Sequence, residues 1–179
     1  MISGANQTEY VNNAVLNFFP SPPTTLGLPI EDTPDVAWDN TNQWASVTSY
    51  GAVPDDNGSD TAAIQAAIDN AAGKTTIYFP RGKYFVSGTI HVRNGIKRIY
   101  GAGSLIRFAA ALYPQGVPVF QFDSNAAPVV VFELFVTDYP TATANFTFFK
   151  HNSTNAVVLR NLALNAGQAY TSTAGGGPL

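Results

Sequence analysis

From Thr75 to Asn165 the chain reads as eight short β-rich runs, "TTIYFP", "KYFVSGTIHV", "IKRIYG", "SLIRFA", "VPVFQFD", "PVVVFELFVT", "NFTFFKH" and "NAVVLRNLALN", separated by Gly, Asn, Pro or Ser, with no helical pattern between them. Runs this short, rich in Val, Ile, Phe and Tyr, read as strands. None is long enough to bury its apolar face alone. Two of them align without gaps 28 residues apart, Val129 to Thr137 with Val157 to Asn165, and each follows a pair of phenylalanines, Phe120/Phe122 and Phe146/Phe148. A repeat of that size made only of strands and turns can bury its apolar side by stacking coil on coil, with parallel hydrogen bonding between coils. The periodicity points to an all-β parallel β-helix. A β-sandwich with look-alike hairpins is the alternative that the residues leave open.

One helical pattern precedes these runs. Ile64, Ala67, Ile68 and Ala71 fall on one face of a helix expected from about Asp60 to Ala72, with Ser59 or Asp60 placed to cap its start and Gly73 to end it. A strand is expected over Trp44 to Tyr50. Residues 1–43, which hold five prolines in "FPSPPTTLGLPIEDTP", read as an extended arm, and residues 44–179 as the folded domain. Nine Lys and Arg against twelve Asp and Glu, with no basic run, disfavour nucleic acid and anionic membrane as partners. The absence of cysteine removes disulfides, zinc-thiolate sites and cysteine nucleophiles together.

The stretch "VTSYGAVPDDNGSDTAAIQAAIDNAAGKTTIYFPRGKYFVSGTIHV", followed by "IKRIYGAG", resembles the N-terminal signature of the pectate-lyase-like β-helix superfamily. The "DTAAIQAAI" and "YFPRGKYFVSG" blocks stand in that family's order and spacing; the family's Gly-Asp-Gly turn is replaced by Pro54-Asp55-Asp56-Asn57-Gly58. The resemblance implies a right-handed parallel β-helix, of which this chain would supply the first three to four coils. It also implies a capping α-helix at the N-terminal end, carried by Asp60, Ile64 and Ile68, that covers the interior and the first strand edge. It further implies a polysaccharide partner, no cofactor, and an extracellular or cell-surface location. The function expected is that of a glycoside hydrolase or lyase, the alternative being a non-catalytic glycan-binding or structural module of tailspike or adhesin type. Homo-oligomerisation is left open.

Cleavage of a glycosidic bond needs two cooperating carboxylates, or a base with a cation in a lyase. Past Thr75 the acids are three, Asp123, Glu133 and Asp138, and these are the catalytic candidates. Glu133 stands out because the 28-residue alignment sets it beside Asn161, a candidate for substrate binding together with the loop tyrosines Tyr113 and Tyr139. Tyr170 is also read as a loop residue. Asp55, Asp56 and Asp60 lack the alternating ligand loop and closing Glu of a calcium site and read as turn and cap residues, so no metal is expected. "GAGS" (Gly101 to Ser104) reads as a tight turn between coils, and His91 and Arg93 as outward residues of a strand. The Gly-rich end "NAGQAYTSTAGGGPL" shows no element to cover a last coil, so the expectation is a truncated chain, inactive alone.

Overall fold

The computed structural model describes residues 34–70, 72–109, 112, 117–124, 127–138, 146–163 and 168–172. From Asp35 onward these belong to one compact unit. The chain makes a 3-10 turn at Thr41–Gln43, strand β1 (Trp44–Ser46), a second 3-10 turn (Val47–Tyr50) and helix α1 (Thr61–Asn70). Nine strands follow: β2 (Thr76–Tyr78), β3 (Lys83–Val86), β4 (Ile90–Val92), β5 (Arg98–Phe108), β6 (Pro118–Phe122), β7 (Val129–Asp138), β8 (Phe146–His151), β9 (Ala156–Arg160) and β10 (Gln168–Ser172).

Every pairing between these strands is parallel, in two sheets. The first runs β1-β2-β5-β7-β9, with β3 also on β5; the second runs β4-β6-β8-β10. Because the chain visits the two sheets alternately from β4 on, each circuit lays a strand beside the one from the circuit before. This is the arrangement of the parallel β-helix family, mostly strands in parallel sheets with one short helix.

Alternation decides what faces inward. Ala45, Ile77, Ile99 and Phe132 form one register column of the first sheet, and all four are buried. Phe132 sits at the centre of an aromatic stack, 4.5 Å from Phe135, 4.9 Å from Phe120 and 4.9 Å from Phe149 between ring centroids. Edge-on and offset pairs of this kind contribute about 0.5–1.5 kcal/mol each beyond area burial. Phe79, Val86, Ile64 and Ile68 belong to the same core. Tyr84 joins it by donating its hydroxyl to the Pro80 carbonyl (2.6 Å); burial, reinforced by Asp60, pushes that phenol up to about 12.

Four sequence expectations change. The strand foreseen over Trp44 to Tyr50 stops at Ser46 and becomes a 3-10 turn, closed by Gly51 at φ 100°, a left-handed conformation that costs glycine little. "GAGS" is not a turn between strands but a bulge inside β5, with Ala102 at φ 48° and Gly103 at φ 79°, where the register on β7 shifts. Tyr170 lies in strand β10 and not in a loop. The 28-residue alignment slips by one, since Val131 pairs with Val158 and Glu133 with Arg160, so Asn161 is not the neighbour of Glu133. In the second sheet Phe120 pairs with Phe149 and Phe122 with His151, one residue beyond a 28-residue offset. Backbone pairing and the core position of Val157, set against Val130, fix the register, and a slip of one residue would turn every side chain of β9 to the other face.

Candidate functional site

The outer face of the first sheet carries two register columns. Trp44, Thr76, Arg98 and Val131 form one; Ser46, Tyr78, Tyr100, Glu133 and Arg160 form the other. Parallel pairing places the Tyr78 and Tyr100 rings stacked at 5.9 Å, and Trp44 lies 5.6 Å from Tyr78 and 5.9 Å from Tyr100. Ahead of β1, the Asp35–Gln43 segment crosses this face. Its Trp38 packs edge-on against Tyr100 at 5.1 Å and sits 5.8 Å from Trp44, yet remains 54% exposed. The segment is held by Asp39, whose carboxylate accepts hydrogen bonds from the Thr75 and Thr76 hydroxyls and lies 3.9 Å from the Lys97 ammonium, while its carbonyl accepts from the Trp44 indole N–H (3.2 Å).

Beneath this aromatic cluster lies a buried ion pair. Arg98 donates from Nη1 to Glu133 Oε1 and from Nη2 to the Val36 carbonyl, and its guanidinium sits 3.9 Å from the centre of the Trp38 ring. The two charged side chains are 2% and 6% exposed. Glu133, the strongest acid candidate from sequence, is therefore the counter-ion of a buried guanidinium. In this geometry it anchors the Asp35–Gln43 segment through Arg98 and is closed off from solvent by it.

The other candidates are scattered. Asp123 follows β6, where its Oδ2 is 2.6 Å from His91 Nδ1 and its Oδ1 accepts from the Gln121 amide (2.7 Å). His91 and Gln121 are register partners on the outer face of the second sheet, with Lys150 next in line. Gln65 of α1 clamps the His91 backbone from both sides, accepting its N–H (2.8 Å) and donating to its carbonyl (3.1 Å). Beside this dyad Arg93 grips Asp69 with two bonds of 2.7 Å, and that guanidinium holds the Asp69 carboxyl below its usual range.

The Asp138 backbone ends β7 beside Arg107, and its side chain lies outside the described residues. Tyr113 and Tyr139 also lie outside them. Asn161 is exposed at φ 50°, just past the end of β9.

Asp60 is buried, and its carboxylate accepts from the Val53 and Phe85 N–H groups (2.8 and 2.9 Å) and not from the helix it precedes; burial, the largest influence, raises its pKa. Ile64 and Ile68 are buried on the inward face of α1. Among the described residues no three His, Asp or Glu side chains come together as metal ligands, and no helix is long and apolar enough to cross a membrane. Sequence reasoning missed the Arg98–Glu133 and His91–Asp123 pairs. The outward parity of His91 was readable, but nothing local says that its partner lies one circuit later.

Residues 44–127 match the family described as rhamnogalacturonase A/epimerase, pectate lyase-like. This match, together with the relatives below, supports assigning the chain to the pectate-lyase-like superfamily. Among curated relatives, mannuronan C5-epimerase AlgE3 of Azotobacter vinelandii is 56% identical over 45 residues, 24% of this chain and 2% of that protein. A probable glucan endo-1,3-beta-glucosidase of Arthroderma benhamiae is 41% identical over 56 residues, 31% of this chain and 6% of that protein. The chain thus spans only a few hundredths of the length of these curated relatives. No solved structure matches it.

Proposed function

We propose that this chain forms coils of a right-handed parallel β-helix in a carbohydrate-active protein, extracellular or at a cell surface, and that its own role is to hold polysaccharide. Right-handedness is supported by the strong preference of parallel crossovers for that hand. The observation that carries the reading is the aromatic cluster of Trp38, Trp44, Tyr78 and Tyr100 on a rigid parallel sheet, with Trp38 more than half exposed. Aromatic faces backed by such a scaffold are suited to stack against the apolar faces of sugar rings, and stacked strands repeat the contact along a linear polymer. The family match and the relatives that act on mannuronan or are named as glucanases support a polysaccharide as the ligand.

Whether the whole protein is a glycoside hydrolase, a lyase or a binding module is a finer question. The burial of Glu133 against Arg98 favours a holding role for the residues described. The test is affinity electrophoresis of the chain through gels containing β-1,3-glucan, mannuronan or pectin. Retardation by at least one polymer is expected, and Trp38→Leu should weaken it about tenfold, a loss of the size of one stacking contact. Wild-type migration unaffected by every polymer, or retardation untouched by Trp38→Leu, would refute the reading.

A further inference from the structure

A concave feature lies on the same sheet, on the outward side of β3 and β5. It is a cleft of about 230 Å³ lined by Asp56, Asn57, Lys83, Phe85 and Arg107. Strand alternation turns Lys83 and Phe85 outward while Tyr84 and Val86 enter the core, and the register sets Arg107 directly beside Phe85. The far wall is the turn after Pro54, and it is rigidly tied to β3. The Asp55 N–H donates to the Lys83 carbonyl (2.8 Å) and the Asp55 carboxylate accepts from the Lys83 N–H (3.0 Å). Further along, the Asp60 N–H donates to the Phe85 carbonyl (2.8 Å) and Thr61 Oγ1 accepts from the Ser87 N–H (2.8 Å). These contacts close the free edge of β3 and hold Asp56 and Asn57 over the cleft, where Asp56 Oδ1 accepts from the Gly58 N–H (2.9 Å).

The lining combines three chemistries: an aromatic ring, two cations on adjacent strands, and carboxylate and amide groups opposite. At about 230 Å³ the cleft is smaller than sites for drug-sized molecules, which run about 300–1,000 Å³, and suits a single ring. Lys83 lines the cleft and forms no ion pair among the described residues. We infer that this cleft is a subsite for one sugar residue bearing an anionic substituent, the ring resting on Phe85, the anion taken by Lys83 with Arg107, and hydroxyl groups met by Asp56 and Asn57. The inference rests on the polysaccharide reading and adds to it a charge preference at a named place.

The test uses the full chain and isothermal titration with three probes: a mannuronan oligosaccharide for the carboxylate, a sulfated dextran oligosaccharide for the sulfate, and a β-1,3-glucan oligosaccharide as the neutral arm. At least one anionic probe should bind more tightly than the neutral one, with an affinity that falls as salt rises from about 50 to 500 mM. Lys83→Met, which keeps every backbone contact of β3, should weaken that probe about tenfold or more while leaving the neutral probe unchanged. Asp56→Asn retains an acceptor for Gly58 and removes the like charge, so it should tighten the anionic probe a few-fold. Melting curves of both variants should overlay the wild type. Equal affinity for all three probes, or anionic binding indifferent to Lys83→Met, overturns the inference. If the neutral probe binds in a Trp38-dependent way while neither anion does, the charged subsite is wrong and the polysaccharide reading stands; if no probe binds, both fall.

Discussion

Removing Glu133 should damage the fold before it damages any chemistry. With Arg98 and Glu133 only 2% and 6% exposed, Glu133→Leu leaves a guanidinium in the interior without its counter-ion, a change that costs about 3–5 kcal/mol in buried pairs. Arg98 would keep its bond to the Val36 carbonyl and its place against Trp38, which puts the expected loss at the lower end, about 3 kcal/mol. At a urea sensitivity of about 1–3 kcal/mol per molar, the midpoint should fall by roughly 1–3 M. The companion variant Arg98→Met/Glu133→Leu removes both charges and should recover most of that loss, because an apolar pair of similar volume avoids desolvating two ions. The assay is urea unfolding followed by tryptophan fluorescence, which reads Trp38 and Trp44 beside the pair. A midpoint for Glu133→Leu within about 0.3 M of wild type, or a double variant no better than the single, would refute the reasoning. An active protein that lost a hundredfold or more in turnover on Glu133→Gln with its melt unchanged would return Glu133 to the catalytic candidates.

Two further outcomes follow from the interior. Phe132→Ala, at the centre of the aromatic stack, should cost about 3–5 kcal/mol in the same urea assay, whereas an exposed change such as Thr154→Ala should stay within about 0.5 kcal/mol. His151 is wholly buried at the end of β8, and burial lowers its pKa from 6.5, only partly offset by a hydrogen bond with the Asn155 backbone. The unfolded chain therefore binds the proton first: this contribution is intact above pH 6.5, shrinks as the pH falls through the window below it, and levels off under the folded pKa. Stability measured at pH 5 should lie below that at pH 7.5, and His151→Gln should flatten the difference. The Asp69–Arg93 pair acts separately, since its lowered carboxyl loses its contribution only under about pH 3.8.

Elements governed by neighbours a few residues away were legible in the chain itself. Alternation told that Ile90 and Val92 enter the core while His91 and Arg93 face out, because a strand turns each successive side chain over whatever it pairs with. The spacing of Ile64, Ala67 and Ile68 placed one apolar stripe on α1 for the same kind of reason, the fixed period of the helix. The stacking of coils was suggested by runs too short to bury their own apolar faces, and the resemblance carried by "DTAAIQAAI" and "YFPRGKYFVSG" chose it over a sandwich. What could not be read was which residues the stacking brings together. That depends on the length of each circuit, set by the turns between strands, and a difference of one residue moved the partner of Glu133 from Asn161 to Arg160. The same holds for Arg98 with Glu133, for His91 with Asp123, and for Asp55 and Asp60 closing the edge of β3. Each is a contact between chain segments at least two dozen residues apart, fixed only when parallel backbone pairing chose a register and the core closed around it.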